Sequence, residues 1–189
     1  MTMTLRDALG RIVQHLGDEV CVHANGFLSR AAFGARDRDT AFYMIGSMGL
    51  ASSIGLGIAL ARPDRRVIVF DGDGNVLMNL GGVAAVAAAR PGNFHHVVFD
   101  NAAHGSTGNQ RTSSDRVALE SIADAAGYRV CRRASSEREL EDALTSWFDV
   151  EGPSMLLVAV DRGNVRGIGR VEPSPTELTS RFRAACRSF

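Results

Sequence analysis

Lysine is absent from the 189 residues: all 21 basic side chains are arginine, matched by 21 acidic ones. Arginine stays protonated and cannot form a Schiff base, so pyridoxal-phosphate attachment, Schiff-base aldolase chemistry and the lysine of a Walker A loop are excluded. A net charge of zero argues against nucleic acid or an anionic membrane as the main partner, because counterion release needs a basic face. Long apolar runs are missing too. The stretch from Ile54 to Ala61 falls far short of the roughly 20 residues that span a bilayer. Met1 to Arg11 lacks the apolar core of a signal peptide. Cys21, Cys131 and Cys186 are odd in number and form no C-x-x-C pair, as expected of reduced thiols in a cytoplasmic protein. What is present is globular, with 45% hydrophobic and 22% charged residues in a length that suits one domain.

Periodicity then predicts alternating helices and strands. Apolar residues at helical spacing run from Leu5 to Leu16 with Thr4 as N-cap, and Glu19 to Val22 reads as a short strand. Gly26 opens a helix through Ala32, Ala41 to Ile45 is strand-like, and the small residues of Ser47 to Ala61 suit a closely packed helix. Arg66 to Phe70 and His95 to Asp100 have the unbroken apolar character of buried parallel strands. Between them a helix is expected over Asn75 to Arg90, stopped by Pro91-Gly92. Asp115 to Ala126 predicts a helix, Tyr128 to Cys131 a strand, and the capping box at Ser136 a helix through Phe148. Met155 to Val160 reads as the last strand, and a final helix is expected over Thr176 to Arg187. This order predicts one α/β domain, a doubly wound parallel sheet with helices on both faces. Its core spans about residues 19–160, and the tail from Asp161 carries no readable motif.

Sheets of this kind bind ligands beyond the carboxyl ends of their strands. Two polar clusters fall at such ends: Asp71-Gly72-Asp73-Gly74-Asn75, and Asp100-Asn101. The 26 residues between Gly74 and Asn101 fit one helical crossover, so Asp73 and Asn101 can lie side by side on neighbouring strands. A carboxylate and an amide oxygen are hard ligands suited to Mg²⁺, and Gly74 with the N–H groups that follow suits a diphosphate. Three other readings compete. An EF-hand fails because Val76 and Gly82 occupy the positions of its turn glycine and bidentate glutamate. The string Phe70 to Gly74 is also similar to the first motif of haloacid-dehalogenase-type phosphatases, with Asp71 as nucleophile and Asp73 as acid/base. The third is a plain glycine turn with solvated carboxylates.

Gly72-Asp73-Gly74 followed after 26 residues by Asn101 resembles the metal-diphosphate motif of thiamine-diphosphate enzymes. The likeness extends to Gly46-Ser47-Met48-Gly49, to Gly26-Phe27-Leu28-Ser29-Arg30, and to the loop from Asn101 to Gln110. In these segments the chain is similar to sulfopyruvate and phosphonopyruvate decarboxylases, from about Glu19 to Val160. The resemblance implies thiamine diphosphate and Mg²⁺ as cofactors, with Asp73, the Asn101 side chain and the Ala103 carbonyl as metal ligands. Ala103 stands where such enzymes commonly carry glycine, and Phe27-Leu28 stand where they more often carry polar residues.

By the same resemblance Gly26 would contact the cofactor, Gly74 and Asn75 would hold the diphosphate, and the Gly46 carbonyl, beside Ser47, would accept a hydrogen bond from the aminopyrimidine. Met48 would wedge the two cofactor rings together. His104, Ser106, Thr107, Asn109 and Gln110 would line the space over the reacting carbon, with His104 and Ser106 as the catalytic candidates and His104 as proton donor or hydrogen-bond partner. Arg30 and Arg111 are candidates for the anionic tail of a small 2-oxo acid. Such enzymes also need a pyrimidine-binding domain with a catalytic glutamate, for which this length leaves no room. The resemblance therefore implies a β subunit working with a separate α subunit in a hetero-oligomer. A carboligase or acyl-transfer subunit, and a non-catalytic interaction module, are the alternatives.

Overall fold

The computed structural model describes residues 3–163 and 167–187; residues 164–166, within the motif-free tail, lie outside that description. A six-stranded parallel sheet forms the centre, in the order β2-β1-β3-β4-β8-β7. Its strands are β1 (Val20–His23), β2 (Ala41–Tyr43), β3 (Val67–Gly72), β4 (Phe94–Asp100), β7 (Val130–Ala134) and β8 (Ser154–Ala159). Two short strands, β5 (Ala103–His104) and β6 (Gln110–Arg111), make a separate antiparallel hairpin. Every residue of β1 and β4 is buried, because strands covered on both faces need apolar or satisfied side chains at each position.

The helices are α1 (Leu5–Gln14), α2 (Phe27–Ala35), α3 (Ala51–Ala61), α4 (Asp73–Met78), α5 (Leu80–Ala89), α6 (Leu119–Ala126), α7 (Glu137–Trp147) and α8 (Pro175–Arg187). One set packs α1 against α2 and α7; another packs α5 against α3 and α6. These two layers sandwich the sheet, as the doubly wound reading expects. The small residues of α3 allow a close approach: a Cβ at Gly55 would sit 2.2 Å from Val69 Cγ2. Helix α8 packs on the edge strand β2, with Phe182 against Phe42 and a two-pronged Arg181–Asp37 ion pair at 2.7 and 2.8 Å. The tail thus ends by covering a sheet edge that would otherwise be open to pairing.

Several boundaries differ from the sequence expectation for identifiable reasons. The helix expected from Ser47 starts at Ala51, since Ser47 and Gly49 have φ of 59° and 87°. The helix expected over Asn75 to Arg90 breaks at Asn79, whose Oδ1 accepts from the Gly82 N–H at 3.2 Å and so caps a new helix, α5. The six residues of α4 are then too few for a dipole argument about anion binding. The strand expected from Tyr128 begins at Val130 because Tyr128 N–H donates to the Ala123 carbonyl in the turn that Gly127 makes at the end of α6. Helix α6 itself starts at Leu119, after a turn in which Arg116 and Val117 donate to Ser113.

Two buried histidines set an acid limit on this fold. His23 stacks between Tyr43 and Phe70, with ring centroids 5.2 and 4.7 Å away, and His95 meets Ser154 Oγ at 2.9 Å. Burial pushes His23 down to about 3 and His95 down to about 4. The folded state therefore binds fewer protons than the unfolded one, whose histidines titrate at roughly 6.5. Stability is full above that value and is lost as pH falls through 4 towards 3. Denaturant titrations should show each histidine removing up to about 3 kcal/mol between pH 6.5 and 4.5. His23→Phe should flatten the slope; an unchanged slope would contradict this account.

Candidate active site

The strand order reverses between β1 and β3, since the chain runs outward to β2 and returns on the other side of β1. Such a reversal opens a crevice beyond the strand ends. A cleft of about 130 Å³ opens here, lined by Asn25 after β1, Gly72 to Asn75 after β3, and Asn101 after β4. Gly72 lies opposite Phe99 in the β3–β4 register, which brings Asp73 and Asn101 out of adjacent strands together.

Asp73 is almost completely buried. Its Oδ2 accepts from Thr112 Oγ1 at 2.5 Å, with Ser114 Oγ 3.1 Å away. Burial pushes the Asp73 carboxyl above the usual carboxylate range; the Thr112 hydroxyl partly offsets this and the nearby charge of Asp100 adds to it. Asn101 Oδ1 accepts from the Ala103 N–H at 3.0 Å, which folds the chain back into the hairpin. Within that hairpin Thr112 N–H donates to the Ala102 carbonyl at 3.1 Å. Antiparallel pairs alternate between bonded and non-bonded, so the neighbouring Ala103–Arg111 pair leaves the Ala103 carbonyl pointing away from β6. Ala102, at φ 51°, carries the left-handed turn, which leaves an ordinary strand conformation for alanine at 103.

Met48 enters the cleft from the turn before α3. That turn is clamped to α4: Gly49 N–H donates to Asn75 Oδ1 at 3.1 Å, and Asn79 Nδ2 donates to the Gly49 carbonyl at 2.9 Å. Gly49 combines its positive φ with a Cβ position only 3.2 Å from Asn79 Cβ, which no larger residue fits without strain. His104 lies across Gly74, where a Cβ would be 2.8 Å from both Nδ1 and Cε1 of the imidazole. The space above Gly74 is therefore shared by His104 and Met48, whose Cε would lie 3.4 Å from the same Cβ.

Of the residues singled out from sequence, Met48, Asp73, Gly74, Asn75, Asn101, Ala103, His104, Ser106 and Thr107 share this cleft. Gly26 stands at the start of α2 with Ser106 against it, and Gly46 and Ser47 belong to the turn that carries Met48 without lining the cleft. The arginines do not meet there. Arg30 lies over the Phe27 ring of its own helix, 5.8 Å from the centroid, and Arg111 pairs with Asp115. Gln110 is exposed and folds onto Thr107 and Gly108, while Asn109 makes the hairpin turn at φ 57°. Both arginines sit on elements whose side chains have nearer partners, which spacing alone does not reveal.

Other contributors were not singled out: Thr112 and Ser114 on Asp73, Asn79 on the Met48 turn, and Asn25. Asn25 Oδ1 is buried without a protein partner in the cleft wall, an acceptor left for a ligand. The run Thr112-Ser113-Ser114 was a visible cluster of hydroxyls; nothing in the sequence tied it to Asp73. Phe27 and Leu28, expected at positions more often polar, line the cleft together with Phe99 and make that part of it apolar. Asp71, the nucleophile of a phosphatase reading, is buried outside the cleft with His96 Nε2 3.3 Å from its Oδ2. The phosphatase reading therefore has no accessible nucleophile.

The oxygen donors fit Mg²⁺: a carboxylate whose Oδ1 neither hydroxyl engages, an amide oxygen and a carbonyl turned away from β6. Among the described residues no helix is long and apolar enough to cross a membrane, and all three cysteines are free.

Residues 26–158 match the family model described as "Thiamine pyrophosphate enzyme, C-terminal TPP binding domain". The chain is 45% identical to a phosphonopyruvate decarboxylase of Streptomyces viridochromogenes over 94% of its own length and 45% of that protein's. It is 42% identical to the sulfopyruvate decarboxylase subunit beta of Methanothermobacter thermautotrophicus, over 93% of the chain and 91% of the relative. The chain thus spans about half the length of the phosphonopyruvate decarboxylases it matches and nearly all of the beta subunit. Among solved structures, benzoylformate decarboxylase from Polynucleobacter necessarius superposes with a TM-score of 0.67 at 17% identity. That match covers 84% of this chain and 33% of the other, and shows the shared fold.

Proposed function

Because this chain belongs to the thiamine pyrophosphate enzyme family through its C-terminal TPP-binding domain, we propose that it is the diphosphate-binding half of a 2-oxoacid decarboxylase. Its substrate would be sulfopyruvate or phosphonopyruvate, converted to the corresponding acetaldehyde and CO₂. One observation carries the reading: the buried Asp73 carboxylate, the Asn101 amide, the Ala103 carbonyl, Met48 and His104 converge on one cleft at the sheet's switch point.

Asp73, Asn101 and the Ala103 carbonyl would hold Mg²⁺, which in turn would fix the diphosphate of thiamine diphosphate. When bound, that cofactor supplies the electron sink for loss of the substrate carboxylate as CO₂. The protein's share is placement and electrostatics. Asn75, with its Oδ1 engaged by the Gly49 N–H, would present its Nδ2 donor to a phosphate oxygen. Met48, held by the clamped turn, would support the cofactor from below. Phe27, Leu28 and Phe99 exclude water from one wall, which strengthens the polar contacts on the other. His104 would deliver a proton to the reacting carbon, with Ser106 beside it to orient the substrate.

The catalytic glutamate and the cation for an anionic tail would come from a separate α subunit. Beta subunits among the relatives imply a partner of some kind. Ile45, Leu50, Met78 and Leu80 are exposed in the segments on either side of Met48 and at the α4–α5 junction. Exposed apolar side chains so grouped would suit a partner subunit. Mixed with a candidate α chain, this chain should form a complex that releases CO₂ from sulfopyruvate or phosphonopyruvate. A Leu50→Asp/Met78→Asp double variant should weaken the complex about tenfold or more in sedimentation. A complex with no thiamine-diphosphate-dependent CO₂ release would overturn the decarboxylase reading. Undiminished association of the double variant would move the interface elsewhere.

A further inference from the structure

The return strand of the hairpin brings two hydroxyls onto Asp73, and the function proposed above uses neither. Thr112 follows β6 directly and is fixed by its own N–H, which donates to the Ala102 carbonyl. Its Oγ1 meets Asp73 Oδ2 at 2.5 Å. Ser114 Oγ stands 3.1 Å from that same oxygen, 2.7 Å from Asp100 Oδ1 and 3.0 Å from Thr112 Oγ1. All four side chains are buried. Each hydroxyl has one proton to give. The shorter contacts assign the Thr112 proton to Asp73 and the Ser114 proton to Asp100. Both hydroxyls approach Oδ2, and neither engages Oδ1.

We propose that Thr112 and Ser114 are positioning residues for the metal: Thr112 holds Asp73 by Oδ2 so that Oδ1 is left to the cation as a single fixed ligand, and Ser114, whose proton goes to Asp100, separates the Asp73 and Asp100 charges. The inference rests on Asp73 being a Mg²⁺ ligand. Mg²⁺ demands near-ideal octahedral geometry, so a carboxylate free to swing or to chelate with both oxygens binds it less well. Groups that hydrogen-bond a ligand are worth about 10–100-fold in metal affinity.

Mn²⁺, whose free form is counted by electron paramagnetic resonance, is the probe. It is titrated into the full chain with thiamine diphosphate, alone and with the partner subunit. Thr112→Val keeps the shape without the donor and should weaken Mn²⁺ binding about 10–100-fold. Ser114→Ala should weaken it less, because its proton goes to Asp100. Thr112→Ser should restore nearly wild-type affinity, which a merely structural role for the threonine would not produce. Wild-type affinity in Thr112→Val, or no rescue by serine, overturns the proposal. Thermal melts accompany each variant. Should Thr112→Val fail to fold, Ser114→Ala at wild-type affinity overturns the proposal instead. Wild-type protein that takes up no Mn²⁺ in either setting removes the Asp73 reading itself, so the two failures are distinct.

Discussion

Asp73→Asn should abolish the metal-dependent uptake of thiamine diphosphate while leaving the ligand-free chain at least as stable as wild type. Two opposite effects of one carboxylate produce this pair of outcomes. As a metal ligand it supplies the negative charge that a divalent cation needs, and its loss should exceed the roughly 100-fold upper range for the groups that merely support a ligand. In the empty site the same charge is a burden, because burial and Asp100 hold the Asp73 carboxyl above its ordinary range. A raised carboxylate pKa means the folded state binds more protons than the unfolded state. Its ionised form therefore costs stability as pH rises through that window, and neutral asparagine avoids the cost. The check is a pair of thermal melts. Wild type should gain about 3 kcal/mol when Mg²⁺ and thiamine diphosphate are present at 100 times the dissociation constant. The variant should gain nothing. A variant that responds like wild type would mean that Asp73 is not a ligand.

His96→Leu should have the largest effect on folding. His96 and Asp71 are buried side by side at 3.3 Å, and among the described residues the Asp71 carboxylate otherwise accepts from the Gly72 N–H, at 3.0 Å from its Oδ1. Removing the imidazole leaves a buried carboxyl oxygen without its hydrogen-bond partner and costs about 1–3 kcal/mol or more, against the roughly 5–15 kcal/mol that holds a domain together. Asp71 directly precedes the Gly72-Asp73 turn, so the loss falls on the floor of the metal site. Adding Asp71→Asn to His96→Leu should recover a good part of the deficit in denaturant titration, because a buried amide costs less than a carboxyl left without that partner. Failure of the second change to help would assign the loss to the cavity left by the imidazole.

The sequence made the sheet legible because its strands are buried on both faces and read as unbroken apolar runs, as at Val67 to Phe70. It also made Asp73 and Asn101 legible as neighbours, since one crossover fits the interval and β3 does pair with β4. What stayed hidden depends on contacts between distant segments. Asn79 looks like one polar residue within a helix; it becomes a cap only because its amide also reaches Gly49. Thr112 and Ser114 lie 39 and 41 residues from the carboxylate they approach, and only the hairpin geometry brings them there. Arg30 and Arg111 had the right charge for an anionic substrate. Charge is not position: Arg30 lies over the Phe27 ring of its own helix, Arg111 pairs with Asp115, and neither lines the cleft.

Calorimetric titration of thiamine diphosphate into the chain, alone and joined to its partner subunit, tests the central claim most directly. Uptake should require Mg²⁺, vanish with a chelator and tighten when the partner closes over the cleft. Uptake indifferent to Mg²⁺, or none at all in a complex shown to have formed, would contradict the account.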